Sequence, residues 1–251
     1  MKRLPGTLLA LLLVAGPAAA ARGDDKDPHA ILDKAIQALG GEEKLKKAET
    51  ISWKSKGTMT FNNNEMDVKT HAIARGLTHY RRESEVESDQ GIRKFVMVLG
   101  GDKGWFKFGD EPREMPEEVI ANQKRMVYLD VVPTLLVPLK GKEFKLESAG
   151  ETKVDDKPAV GVKVIAPDGK DFTLFFNKET GLPARLVARV AGFGGNEFTQ
   201  ETTYKDYKDF DGIKKATKVV SKRDGEDFAR SEITEFKVLD KVDPQAFSEP
   251  S

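Results

Sequence analysis

Along most of this chain apolar and polar residues alternate with a period of two, the spacing of a strand with one dry face. From 51 to 61 the odd positions carry Ile51, Trp53, Ser55, Gly57, Met59 and Phe61, and the even ones Ser52, Lys54, Lys56, Thr58 and Thr60. A half-solvated antiparallel sheet reads this way. After a turn at Asn62-Asn63-Asn64, strands are expected over 65–74 and 77–87. The stretch 92–99 differs, because Phe95-Val96-Met97-Val98-Leu99 is apolar on both sides and so predicts cover on both. Gly100-Gly101-Asp102 then turns into a strand over 104–108 with Trp105, Phe106 and Phe108.

Two stretches switch to helical spacing. Asp27 suits a helix cap, Pro28 a first helical position and Gly40-Gly41 a stop, with Ile31, Leu32, Ala35, Ile36 and Leu39 on one stripe. Residues 42–48 add about one further turn. The second switch comes at Pro116: Glu117-Glu118 fit a first turn, and Val119, Ile120, Gln123 and Val127 recur at helical spacing. It runs into an apolar segment, 129–139, interrupted by Pro133 and Pro138. A helical pair set among strands has to lie across a sheet face or plug its opening.

Beyond it, strands are expected over 144–151, 159–166, 171–177, 182–190, 197–207, 213–222 and 228–239. Their connections include Asp168-Gly169, Asp211-Gly212 and Asp224-Gly225, short enough for hairpins. About a dozen strands joined by tight turns predict a mainly β protein, a meander that curls into an open or closed barrel. No linker divides it, so 27–251 is expected to be a single domain.

The first residues stand outside this pattern. Lys2 and Arg3, an apolar run over 8–14 and Ala18-Ala19-Ala20 make a secretory signal peptide over 1–20, cleaved after Ala20, followed by a polar linker over 21–26. The product is expected to be periplasmic or secreted. No later stretch reaches the roughly 18 consecutive apolar residues of a membrane span. Among 251 residues there is no cysteine, which excludes disulfides, thiol catalysis and a lipid-attachment cysteine. With 41 basic and 41 acidic residues, no general charge favours nucleic acid or anionic membranes.

Several segments together carry a resemblance. They are Ala38-Leu39-Gly40-Gly41-Glu42-Glu43-Lys44-Leu45, Ile51-Ser52-Trp53-Lys54-Ser55-Lys56-Gly57-Thr58, the proline-broken internal helix, Phe176-Asn177-Lys178-Glu179-Thr180-Gly181-Leu182-Pro183, and Tyr204-Lys205-Asp206-Tyr207-Lys208-Asp209-Phe210-Asp211-Gly212-Ile213. Nearly all of the chain after the signal peptide resembles, in element order, the superfamily of periplasmic carriers for outer-membrane lipoproteins, LolA, LolB and their relatives. The resemblance implies a half-open antiparallel barrel of eleven strands whose concave apolar face is covered by helices and holds acyl chains. It also implies an arginine early in the barrel that helps hold the lid shut; the positions after the first helix carry Lys46, Lys54 and Lys56 instead.

Physical chemistry supports lipid binding separately. A wall that curves without closing leaves apolar side chains facing a space that helices, ligand or both must fill, and each buried acyl CH₂ contributes about 0.8 kcal/mol. Candidate wall residues are Trp53, Met59, Phe95, Met97, Trp105, Phe106 and Phe108. Candidate lid residues are Val119, Ile120, Val127, Leu135, Leu136 and Leu139, and Met97 and Met126 suit an adaptable site. The alternative is that all of these form the core of a filled barrel.

Other constellations are weaker. His71 and His79, with Glu83 and Glu85 nearby, are the one place where a hairpin brings metal-ligating types together; they read as ordinary strand residues, and no metal or other cofactor is expected. Residues 192–196 have glycines but no phosphate-loop ending, and read as a hairpin. The run 81–87 reads as a solvated strand face, and Tyr204, Tyr207 and Phe210 read as an exposed aromatic contact surface, with packing on the wall an equal alternative for Tyr204. No nucleophile elbow is present, so an enzyme is not expected. Two functions remain: a monomeric carrier of lipid or lipoprotein acyl chains, and an envelope sensing or interaction module using the same barrel to bind a lipid, a peptide or a protein partner.

Overall fold

The computed structural model describes residues 26–61, 64–89, 91–192 and 195–251. The expected signal peptide (1–20) and nearly all of the expected linker (21–26) lie outside the described residues. Two helices come first among the described residues, α1 (Pro28–Leu39) and α2 (Glu42–Lys47). The Asp27 carboxylate caps α1 by accepting from the His29 amide at 2.9 Å. The expected stripe of Ile31, Leu32, Ala35, Ile36 and Leu39 is its buried side. Gly40 ends it with φ 142°, and a Cβ there would lie 2.3 Å from the Gly212 carbonyl oxygen. Only glycine permits both that backbone and that approach.

Six strands follow: β1 (Thr50–Phe61), β2 (Asn64–Arg75), β3 (His79–Ser88), β4 (Gly91–Gly100), β5 (Lys103–Phe108) and β6 (Glu111–Glu114). A crossing segment then carries α3 (Glu117–Val131) and a 3-10 turn (Val137–Lys140). Seven strands complete the sheet: β7 (Lys145–Val154), β8 (Lys157–Ile165), β9 (Asp171–Asn177), β10 (Pro183–Ala191), β11 (Glu197–Phe210), β12 (Ile213–Arg223) and β13 (Glu226–Val238). Tight turns with left-handed residues join several of them, as at Asp211-Gly212 (φ 54° and 86°) and Asp224-Gly225 (φ 48° and 89°).

All thirteen strands form one antiparallel sheet in the order β6-β5-β4-β3-β2-β1-β13-β12-β11-β10-β9-β8-β7. The barrel is half-open, as expected, with thirteen strands among the described residues where about eleven were expected. Twelve follow the sequence pattern; β6, four residues of Glu-Pro-Arg-Glu, shows no alternation to read. The first and last strands pair in the middle, so the free edges are β6 and β7, neighbours in sequence at opposite ends of the sheet. The segment between them therefore crosses from one edge to the other, and it does so over the inner face.

One continuous apolar cluster joins α1, α2, α3, the proline segment and that face. The outer face has its own cover. Val98 is fully buried there, beside the C-terminal 3-10 turn (Pro244–Phe247), whose Phe247 ring meets His79 edge-on at 5.4 Å. That is the double cover which the apolar run 95–99 predicts.

Candidate binding face and its lid

Strand register decides which side chains share the inner face. Trp53 pairs with Ala72, Ala72 with Arg82, Arg82 with Met97 and Met97 with Phe106, one rung across five strands. Two residues further along each strand, Ser84, Phe95 and Phe108 form the next rung. Phe95 and Phe108 stack at 5.7 Å, and Phe106 adds a ring 6.1 Å from Phe108. Met59 faces the same way, opposite Met66 near the rim.

Six of the seven expected wall residues thus share a face, with graded exposure. Trp53 and Met97 are buried, Met59, Phe95 and Phe106 half-buried, and Phe108 is 63% exposed. Trp105 is the exception: it pairs with Val98 and stands on the outer face, because alternation turns it away from Phe106. Of the expected lid residues, Ile120, Val127, Leu135, Leu136 and Leu139 are buried and Val119 is half-buried. Gly104 makes their seat, since a Cβ there would lie 2.9 Å from Met115 Sδ and 3.3 Å from Ile120. The floor beneath the lid is filled by these side chains. Two surface hollows, one of about 340 Å³ at Gln37–Lys44 and one near Lys69 and Ile92, lie off this face.

What fastens the lid is polar. Asp130, in α3, accepts from Tyr80 Oη at 2.8 Å and from the Arg82 guanidinium at 2.6 Å. Burial opposes the Arg82 charge, yet Asp130 and Tyr80 hold its pKa above the usual range. Burial also raises the Tyr80 phenol well above its ordinary value. On another side of α3, buried Arg125 donates to two backbone carbonyls, Nε to Arg189 at 3.0 Å and NH2 to Asp171 at 2.6 Å. Beyond α3, Thr134 Oγ1 accepts from the Lys215 ammonium at 2.6 Å.

None of these six polar residues stands out in the sequence as a site, although Asp130 interrupts the apolar run Val127, Leu129, Val131. The run 81–87 is half corrected. Arg81, Glu83 and Glu85 do face outward, whereas Arg82, Ser84 and Val86 face in. Arg82, on β3, is an arginine that contacts α3 through Asp130. His71 lies opposite Glu83 and bonds Ser52, whereas His79 lies opposite Arg75 and bonds Thr78; no group of metal-ligating side chains converges among the described residues. Tyr204, Tyr207 and Phe210 pack against the core, so the exposed-surface alternative is set aside. No helix among the described residues is long and apolar enough to cross a membrane.

No known family model matches the chain, and no curated protein sequence matches it. Solved structures do. A LolA superfamily protein from Nitrosomonas europaea superposes with a TM-score of 0.58 at 10% identity, covering 88% of this chain and 97% of that one. An outer membrane lipoprotein-sorting protein domain from Vibrio parahaemolyticus gives 0.55 at 9% identity, covering 86% and 97%. A DUF1329 family protein from Desulfovibrio piger gives 0.54 at 13% identity, covering 88% and 98%. Likeness at such identities concerns architecture alone, and on that ground, together with the open sheet and its crossing lid, the chain has the fold of the LolA superfamily.

Proposed function

We propose that this chain is an exported, non-catalytic carrier that holds acyl chains of a lipid or lipoprotein on the inner face of its sheet, beneath a lid formed by α3 and the proline segment. The observation that carries the reading is the division of labour in the lid. Its contact with the sheet is apolar, through Ile120, Val127, Leu135, Leu136 and Leu139, while its fastening rests on a few polar bonds. An acyl chain entering under it exchanges one apolar partner for another, at little net cost in buried area. Each methylene gained contributes about 0.8 kcal/mol, so a chain of ordinary length supplies most of the affinity.

The guest enters where the inner face is least covered, past Phe95, Phe106 and Phe108 beside the β6 edge, and displaces the side chains that fill the floor. Thioethers repack easily, which suits Met97 on the wall and Met126 on the lid. The basic, apolar and small-residue pattern over 1–20 supports export, and with it a place in the periplasm or outside the cell.

Native mass spectrometry of the protein purified from its own envelope tests the reading. Bound acyl lipid is expected, and Leu136→Asp, checked for retained strand content by circular dichroism, is expected to lose it. A stoichiometric protein partner with no lipid overturns the carrier and supports a sensing or interaction module on the same barrel.

A further inference from the structure

Beneath the proline segment lies a cation without a carboxylate of its own. Lys215 is 8% exposed, and its ammonium has one oxygen partner, the hydroxyl of Thr134. Its other surroundings are the ring faces of Trp53 and Phe236, centred 5.2 and 5.8 Å away. Among the described residues it forms no ion pair; Asp130 acts on it through space but is bonded to Tyr80 and Arg82. Two cations thus share one carboxylate. Burial lowers the Lys215 pKa to about 8, which leaves it charged near neutral pH. A buried charge paired this poorly costs several kcal/mol, where an apolar residue of similar size costs nothing of the kind. Arg82 Nε, like Arg125 NH1 and Arg185 Nε, is buried with no hydrogen-bond partner among the described residues, so at this place it has a donor to spare.

The two cations flank an aromatic pair, Trp53 and Tyr80, whose rings are 6.0 Å apart. From there the inner face runs toward the rim past Ser55 and Met59 on β1 and Thr70, Val68 and Met66 on β2, with the β13 backbone at Arg230 lying close against Gly57. Trp53 to Met59 spans about 20 Å at roughly 3.4 Å per residue, the reach of an extended acyl chain of ordinary length.

We infer that Lys215 and Arg82 form an anion seat, and that the guest is an amphiphile with an anionic head, a carboxylate or a phosphate, which replaces Asp130 and Thr134 as the lid withdraws. This rests on the carrier reading above and adds the charge of the cargo to it. Head and lid compete for the same donors, so binding of the head releases the lid's fastening, and release of the cargo restores it. Charge-assisted hydrogen bonds of this kind are about twice as strong as neutral ones.

The test uses the full chain carrying Trp105→Phe, so that Trp53 is the sole fluorescent tryptophan, with mid-chain brominated hexadecanoate, hexadecyl phosphate and hexadecanol as quenchers. At least one anionic probe is expected to bind about tenfold tighter than the alcohol. Preference for one of the two anions identifies the head as carboxylate or phosphate. Lys215→Met is expected to bring the anionic probes down to the alcohol's affinity and Lys215→Arg to keep the preference, while Asp130→Asn, which removes the competing carboxylate, strengthens anion binding. Equal binding of all three probes overturns the anion seat and leaves the carrier reading intact. Quenching by none of them overturns both.

Discussion

The two flanks of α3 are held by different chemistry. Toward β9 and β10, Arg125 is 4% exposed and donates to backbone carbonyls, which belong to the sheet itself and have nowhere to go. Toward β3, Asp130 meets the side chains of Arg82 and Tyr80, and the Arg82–Asp130 pair is about one-third exposed on both sides. Water and ions reach the second bond set, and side chains can turn away from it without disturbing the ladder. The comparison teaches that the lid has a fixed side and a releasable side. On the carrier reading proposed above, α3 is expected to swing about the β9–β10 flank and to open the face along β3–β5, where Phe95, Phe106 and Phe108 stand.

Breaking the fixed side has the largest effect. Arg125→Met strips donors from two shielded carbonyls and is expected to lower stability by about 4 kcal/mol, since each bond to a charged group contributes about 1.5–3 kcal/mol. Urea unfolding measures it, and an unchanged midpoint removes Arg125 as the anchor. Next comes Lys215. Its folded pKa, about 8, lies below the ordinary 10.5, so the unfolded chain binds the extra proton between these values and stability rises with pH across that window. Lys215→Met is expected to flatten this rise and to gain about 3 kcal/mol near neutral pH. Melts below pH 10 isolate it, because Tyr80, Tyr204 and Tyr207, with raised pKa values, pull stability down above that point.

On the releasable side the effects are smaller and local. Arg82→Gln is expected to cost about 2 kcal/mol. It should speed amide hydrogen exchange in α3 and the proline segment more than in β9 and β10, and uniform acceleration contradicts the two-sided picture. Phe108→Ser, at an exposed rim position, should change stability by less than about 0.5 kcal/mol while slowing acyl uptake.

Much of the architecture was legible in residue order. Period-two alternation, one continuous apolar run and regularly spaced turn signals located twelve strands, and punctuation at Asp27, Pro28 and Gly40 located α1, because backbone propensity and burial speak together there. The wall residues were chosen for their apolar character, and that misled at Trp105, because alternation puts it on the opposite face from its neighbour Phe106. The lid's fastening was not legible. Arg82 sits in a run of mixed charge that looks solvated, and its partner Asp130 lies 48 positions away. Lys215 follows Lys214 and precedes Lys218, and only β12's place beneath the proline segment distinguishes it from those exposed neighbours. Pairing across a curled sheet brings such residues together, and no local pattern encodes it.

The central claim is that acyl chains reach the inner face only when the β3 side of the lid lets go. The absence of native cysteine allows a direct test, with Arg82→Cys and Asp130→Cys joined by a cleavable bismaleimide and uptake of a neutral fluorescent acylglycerol as the readout. The account predicts that the tether lowers uptake at least about tenfold and that cleaving it restores binding. Equal uptake with the tether intact would contradict it.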